Sequence, residues 1–393
     1  YIKCPASMTG YLYEGDEKLD TCTLYKKNTP VATFECINMN GFHIDKMHVL
    51  INPELLPLHM RTNYTDEKMR QWVEKRNIPE TRERLRETRL NFGAGWQNNL
   101  AMASLSDQYW FQHGRESWDK INFFTNVYSE DIGNIFFEPW TMKRGKLNNF
   151  SPDLTTNGAL CKRWKQREDK TSFLIKAGSK KYCQEPLNEV LAANTLNHLK
   201  LVPALRYNLI IEGVDLCSVC DNFITERTEF VPASQVYDAI PKRDEDSCYT
   251  HLLRGFEKFD IPGAKEFLDN MIVCDNIIGN EDRHLGNFGF ILDVETNKFI
   301  GPAPLFDSGT AFWSAKKMMQ NKTKSKLFGD VEQKLIRHSI KHASFISLKN
   351  LNCNELIDSY PWISDEKKIS ILKAVRKKAH YYNMEINNQT FER

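Results

Sequence analysis

No stretch of the 393-residue sequence approaches the ~18 uninterrupted apolar residues that a membrane-spanning helix needs. The opening YIKCPASMTGYLYEGDEK likewise lacks an apolar core of signal-peptide length. An excess of one charge is also missing. Against 53 basic residues stand 51 acidic ones, a net charge of +2, so no dedicated nucleic-acid or membrane surface is expected, although a local basic face stays open. There is no internal repeat and no low-complexity tract. The ten cysteines are scattered from Cys4 to Cys353, which does not resemble the disulfide framework of a small secreted domain. Reduced thiols and a cytoplasmic protein are therefore expected. The CxxC at Cys217 and Cys220 sits in the hydrophobic LCSVCDNFI and has no second ligand pair at zinc-site spacing, so both read as buried small residues.

What remains is an ordinary globular composition, 41% hydrophobic and 26% charged, long enough for two or three domains. TCTLYKKNTPVATFECI predicts a hairpin around a KKNTP turn. A helix follows Thr65 as its cap, and Pro79 is expected to start a second, charge-rich helix, ETRERLRETRL. Its arginines read as a solvated face with Glu–Arg pairs one turn apart, with phosphate contact as the alternative. Residues 104–140 are rich in aromatic rings and suit packing on a core. The polar KRGKLNNFSPDLTTNG reads as a loop, LCKRWKQREDKTSFLIKAG as two strands, and EPLNEVLAANTLNHL as a helix with a partial stripe at Leu187, Val190, Leu191, Asn194, Leu196 and Leu199. Further strands are expected in LVPALRYNLIIEGVDLCSVCDNFI, a helix from Glu266 to Asn280, and mostly helix over 331–380.

The densest chemistry lies in NIIGNEDRHLGNFGFILDVETNKFIGPAPLFDSGTAF. Asp282 is followed five residues later by Asn287, then by the strand-like Phe288, Phe290, Ile291 and Leu292. A second strand ends in Leu305, Phe306, Asp307, Ser308 and Gly309. Phosphoryl transfer asks little covalent help of a protein. It needs a carboxylate to orient the attacking hydroxyl and hard oxygen ligands that hold magnesium against the phosphates. Asp and Asn at this spacing are the D-x-x-x-x-N pattern of the kinase catalytic loop, and an Asp at the end of a strand before Gly matches the metal-binding Asp. Asp282 is thus expected as catalytic base, Asn287 beside it, and Asn287 and Asp307 as magnesium ligands. His284 has no His or Cys at close spacing and reads as a brace for the loop. Arg283 faces either a phosphorylated residue or a carboxylate.

NEDRHLGNFGF together with PLFDSGTAFW resembles the catalytic and metal-binding segments of HipA-like serine/threonine kinases, in particular the HipA-related proteins of Gram-positive bacteria. The similarity reaches SPDLTTNGALCKRW, QEPLNEVLAANTL, VCDNFITERTEFVPA, FLDNMIVCDNIIGNEDRH, NPELLP, ASLSDQYW and NFFTNVYSEDIG, and so spans roughly residues 20–345. It implies an α+β fold of the two-lobed, protein-kinase-like HipA type. Residues 1–140 would form an extra N-terminal subdomain docked on the small lobe, 141–230 a strand-rich N-lobe, and 231–393 a helical C-lobe.

The resemblance also assigns the nucleotide site. Lys176 would contact the α- and β-phosphates of ATP and pair with Glu189, or else Glu185. The phosphate loop would be SPDLTTNGALCKR, with Thr155, Thr156 and Gly158; it departs from G-x-G-x-x-G, since only Gly158 is present. HipA-like kinases can be silenced by phosphorylating a loop serine on themselves, a part Ser151 could play. Cys220, Asp221, Asn222 and Phe223 would meet the adenine, and His284 lies beside the nucleotide. The cofactors implied are ATP and Mg2+. The partners implied are a protein substrate and a small DNA-binding antitoxin, since the chain has no convincing helix-turn-helix of its own and no direct nucleic-acid or membrane site. The competing readings are a kinase acting on a lipid or small-molecule hydroxyl, because phosphatidylinositol kinases also carry D-R-H-x-x-N, and a non-catalytic HipA-like partner of a DNA-bound regulator.

Overall fold

The alternation in DTCTLYK puts Cys22, Leu24 and Lys26 on one buried face, and a turn at Lys27 and Asn28 sends the chain back through TPVATFECI. These are strands β1 (Asp20–Lys26) and β2 (Thr29–Ile37), the hairpin expected from the KKNTP turn. The computed structural model describes residues 20–37, 42–92, 101–142, 147–180, 183–313, 325–336, 365–366 and 369. β3 (His43–Leu50) and β4 (Tyr109–Gln112) extend the hairpin into an antiparallel sheet of order β3-β2-β1-β4. Helix α1 (Asp66–Glu74) begins where the Thr65 hydroxyl accepts the Lys68 N–H, and it packs Met69, Trp72 and Val73 into the core of this sheet. Cys22 and Cys36 lie on the buried side of the hairpin and are joined by a disulfide bond, which corrects the expectation that the thiols are reduced. They stand 14 residues apart, and the β1–β2 register is what brings them together.

The charged run after Pro79 turns before it coils. Helix α2 spans Leu85–Phe92, and Arg82, in the turn before it, is buried rather than solvated. The short α3 (Trp118–Ile121) and the helix α4 (Asp131–Phe137) take up the aromatic-rich stretch, whose rings pack as expected. LCKRWKQREDKTSFLIKAG forms β5 (Lys162–Gln166) and β6 (Ser172–Ala177). After helix α5 (Glu185–Leu199) come β7 (Asn208–Glu212) and β8 (Asp215–Asp221), and the sheet order is β5-β6-β8-β7. Ile132, Ile135, Phe136 and Phe137 of α4 pack on Ile175, Ala177 and Cys217 of this sheet. The fully buried Arg163 ties the two together: it donates to Glu130 at 2.7 Å and to Glu212 at 2.9 Å. Cys217 and Cys220 are three apart on one strand, so their thiols point to opposite faces, and burial pushes each up to about 12.

β9 (Thr228–Pro232), helices α6 (Ala233–Asp238), α7 (Cys248–Lys258) and α8 (Ala264–Ile278), and strands β10 (Gly289–Asp293) and β11 (Lys298–Pro302) follow, with sheet order β11-β10-β9. Leu187, Leu191 and Leu196 of α5 share one core with Leu268 and Ile272 of α8, Phe290 of β10 and Leu305. Helix α5 is buried on most sides, which is why its stripe is only partial; Asn194, counted in that stripe, is exposed. β9 pairs with β10, so the expected boundary at residue 230 falls inside a strand, and β9 belongs with the helical block. The N-terminal sheet and the segment after it also reach that block. Lys26 and Glu229 form a buried ion pair at 3.0 Å, Gln235 accepts the Leu58 N–H, and the Thr62 hydroxyl donates to the Ala239 carbonyl. The expected helix over 331–380 lies largely outside the described residues, within which 332–336 is helical. No helix among the described residues is long and apolar enough to cross a membrane.

Gly289 opens β10 close against β9. A Cβ there would lie 2.8 Å from Pro232 Cα and collide with the Val231 carbonyl, and neither backbone atom can yield without breaking the β9–β10 ladder. Gly289→Ala is therefore expected to cost about 2–3 kcal/mol of stability, read as a lower midpoint in urea denaturation.

Candidate active site

Helix α8 ends because Gly279 adopts the left-handed conformation, at φ 71°, and this turn delivers Asn280, Glu281 and Asp282 to the head of β10. The last turn of α8 carries Asp275, which is 6% exposed and grips Arg283: Nε and Nη2 donate to its two oxygens at 2.9 and 2.8 Å. Of the two partners left open for Arg283, the structure gives the carboxylate. The rest of the guanidinium joins two loops. Nη1 donates to the Asn287 carbonyl at 3.1 Å and to the Phe306 carbonyl at 2.7 Å, and Nη2 donates to the Ser308 hydroxyl at 3.1 Å. Asn280 adds a second link, since its side-chain oxygen accepts the Thr310 hydroxyl at 2.9 Å. Segments 280–287 and 306–310 are thus brought to one place by groups buried beneath them.

Asp307 stands at φ 56°, a left-handed conformation that Asp tolerates better than most residues. It is steered there by a parallel bridge between Ala204 and Leu305, by the Tyr207 hydroxyl, which accepts the Asp307 N–H at 3.4 Å, and by Asn188 of α5, which donates to the Gly309 carbonyl at 2.8 Å. Lys176, near the end of β6, donates to Glu189 at 2.5 Å and also to Asp307. Glu189 takes the Ser218 hydroxyl as well, while Glu185 instead binds the Ser179 hydroxyl at 2.6 Å, so Glu189 is the lysine's partner. Burial alone would lower the Lys176 ammonium, but Asp307 and Glu189 outweigh it and hold it above the ordinary lysine range. Burial would raise the Asp307 carboxyl, but Lys176, Lys162 and Arg283 hold it well below the ordinary carboxylate range.

The expected phosphate loop is a short 3-10 turn, Pro152–Thr155, capped by the Ser151 side chain. Ser151 is fully buried, so in this arrangement it cannot accept a phosphoryl group. Asp153 accepts the Trp164 N–H at 2.7 Å, and burial pushes its carboxyl up to about 7. The Thr155 hydroxyl donates to the Ala103 carbonyl at 2.9 Å and the Thr156 hydroxyl to the Pro152 carbonyl at 2.8 Å, so both hold the loop's own shape. Arg82 lies beneath and donates to the carbonyls of Gly158 and Thr156. Of the charged run, Arg82 is therefore not part of a solvated face, and its guanidinium serves the loop's own carbonyls.

Asp221, expected near adenine, is instead at the surface and pairs with Arg167 at 2.5 Å, its side chain 71% exposed. Asn222 is committed to the Ser172 and Leu105 carbonyls. Cys220 is buried, whereas Phe223 packs on Phe230 and Phe306 with ring centroids 5.8 Å away in each case, next to Asp307. His284 accepts the Gly286 N–H at 3.2 Å, a brace within the loop. Lys326 donates to Asp282 at 2.5 Å with both side chains more than half exposed, 67% and 53%. Water screens such a pair, so Lys326→Ala should shift stability by less than about 1 kcal/mol in thermal denaturation while uncovering the Asp282 carboxylate.

Sequence reasoning missed Asp275, Tyr207 and Ser218, each of which reaches the site through tertiary contact. Asn287 and Asp307 fit magnesium. Both offer hard oxygens, the Asp307 carboxylate is kept ionised by its cations, and the Asn287 side-chain amide has no hydrogen-bond partner among the described residues.

No family model matches the chain, and no curated protein matches it. Among solved structures, HipA of Shewanella oneidensis MR-1, from a toxin–antitoxin complex with HipB and operator DNA, is 11% identical with a TM-score of 0.55, over 93% of this chain and 98% of that one. The proinflammatory kinase CtkA of Helicobacter pylori is 17% identical with a TM-score of 0.46, over 58% of this chain and 95% of that one. The likeness to HipA covers nearly the whole of both chains and shows a shared fold. The chain therefore has the mixed α+β fold expected from its resemblance to HipA-like proteins.

Proposed function

We propose that this chain is an ATP- and magnesium-dependent kinase of the HipA type that transfers the γ-phosphate to a serine or threonine hydroxyl of a protein. The observation that carries this reading is the Lys176 ammonium held between Glu189 and Asp307, with Asp307 tied through Arg283 to the loop that bears Asp282 and Asn287. Lys176 would bind the α- and β-phosphates, leaving Glu189 as its anchor. Asn287 and Asp307 would hold Mg2+, which neutralises phosphate charge when bound. Asp282, exposed at the edge of the site, would orient the substrate hydroxyl and accept its proton. The cleft would lie between the β5–β8 sheet and the block of β9–β11 and α8, with Phe223 at its back.

On this reading the partner is a small DNA-binding antitoxin, since the Shewanella structure joins HipA to HipB and operator DNA. The working compartment is the cytoplasm, where the Cys22–Cys36 bond would be open to reduction. The test is incubation of the full chain with γ-labelled ATP and a cell extract, comparing wild type with Asp282→Ala. Asp282 is exposed, so the variant should fold. Labelled protein in the wild-type lane alone is expected; equal labelling in both lanes refutes the role given to Asp282.

A further inference from the structure

The exposed pair at the edge of the site joins Asp282 to a residue 44 positions further along the chain. Lys326 donates to the Asp282 carboxylate and has no other partner among the described residues. Its backbone is nonetheless held in place. Phe328, 1% exposed, packs edge-on against Phe288, the residue after Asn287, with ring centroids 6.4 Å apart. Glu332 is buried; it accepts the Asn276 side-chain amide at 3.0 Å and the Ser325 N–H at 3.3 Å. The Ser325 hydroxyl accepts the Phe328 N–H at 3.0 Å. Asn276 adjoins the Asp275 that grips Arg283, so one turn of α8 fixes both the catalytic loop and the segment that bears Lys326. The pair itself stands in water, adds little to stability and is readily exchanged for another anion. Asp282, then Glu281, hold the Lys326 ammonium above the ordinary lysine range, so it is charged at neutral pH. The catalytic loop has no cation of its own to offer. Arg283 is buried on Asp275, and His284 accepts the Gly286 N–H. Lys176 is committed to Glu189 and Asp307.

We propose that Lys326 is a catalytic cation for the phosphoryl group in transfer, resting on Asp282 until donor and acceptor are bound. The proposal rests on the kinase reading and adds to it a residue from outside the catalytic and metal-binding motifs. In the transfer, the acceptor oxygen forms its bond to the γ-phosphorus and gives its proton to Asp282. The bond from that phosphorus to the bridging oxygen breaks, and its electron pair leaves with ADP. Lys326 exchanges no proton; it offsets the negative charge on the outer oxygens of the moving group. Its reach allows this. A hydroxyl held by a base lies ~3 Å from it, and the phosphorus under attack lies ~3 Å beyond. That is within the swing of a flexible lysine stem whose Nζ already touches the base. Departure of Lys326 also frees the Asp282 oxygen when the hydroxyl needs it.

The test compares the full chain as wild type, Lys326→Met and Lys326→Arg. Initial rates of label transfer from γ-labelled Mg-ATP into a fixed amount of cell extract are measured over a range of ATP concentrations. Calorimetric titration with Mg-ADP, which lacks the group in transfer, is run beside them. Lys326→Met is expected to lower kcat by about a hundredfold, the usual loss when one charge-stabilising donor is removed, with KM for ATP little changed. Mg-ADP affinity should be the same in all three proteins, and Lys326→Arg should recover most of the rate. Labelling by Lys326→Met as fast as wild type, or faster, means that Lys326 merely covers the base; it overturns the inference and leaves the kinase reading standing. Weakened Mg-ADP binding in the Met variant, or an Arg variant no faster than Met, gives Lys326 a general binding or packing role and overturns it too. Wild type that labels nothing overturns both.

Discussion

Asp307→Asn is expected to reduce phosphoryl transfer by about a thousandfold or more, with the chain still folded. Asparagine keeps the shape of the side chain and tolerates the left-handed backbone that Asp307 adopts, so the loop should hold its course. What is removed is the charge. Lys176 keeps Glu189 and its tether to β8 through Ser218, but the metal loses its one carboxylate ligand among the residues assigned to it. Steady-state rates with a labelled donor measure the loss, and near-wild-type turnover by the variant would show that Asp307 does not handle the metal.

The same substitution has a signature in pH. Asp307 is held below the ordinary carboxylate range, so the stability it contributes is complete above about pH 4, the unfolded value, and is lost as pH falls through its lowered value. Asn contributes nothing of the kind. The gap in melting midpoint between wild type and Asp307→Asn should therefore be widest near neutral pH and narrow as the solution is acidified. A constant gap would mean that Lys176 and Lys162 do not stabilise the carboxylate.

Arg283→Met is expected to cost about 3–5 kcal/mol of folding stability, the usual result of stranding a buried carboxylate. Asp275 would keep only the Asn280 amide, at 3.1 Å. The carbonyls of Asn287 and Phe306 and the Ser308 hydroxyl would lose their shared donor. Lysine cannot replace it, because one ammonium cannot reproduce a planar fork that serves four separate residues. Chemical denaturation reads the cost. The double variant Arg283→Met with Asp275→Leu should recover part of the stability, since the stranded charge is gone, but not the activity, since the two loops stay unlinked. Full activity in the double variant would show that the link is dispensable.

The sequence was most legible where the signal was local. The KKNTP hairpin, the Thr65 cap, the β5–β6 pair and helix α8 each declare themselves within some twenty residues of chain, through alternation, caps and turn chemistry. Lys176 and its glutamate came from the resemblance, which left Glu189 and Glu185 both open; the choice of Glu189 needed the contacts themselves. What was hidden depends on distant pairing. Arg82 reads as one more residue in a solvated charged run until it is seen beneath residues 156–158. Cys22 and Cys36 look like two scattered cysteines until the strand register is known. The outward course of the Asp221 side chain to Arg167 likewise depends on the register of β8 in its sheet.

The N-terminal region is anchored on both sides of the proposed cleft. Arg163 fastens the Glu130–Asn134 segment to one sheet, and the Lys26–Glu229 pair fastens β1 to the other. A molecule strapped in this way cannot gape like a pair of free jaws, because wide opening would pull a buried charge from its partner at one strap or the other. On the kinase reading, exchange of a spent nucleotide for a fresh one would then proceed by small local yielding at the rim, and turnover would be paced by the stiffness of a region that takes no part in the chemistry.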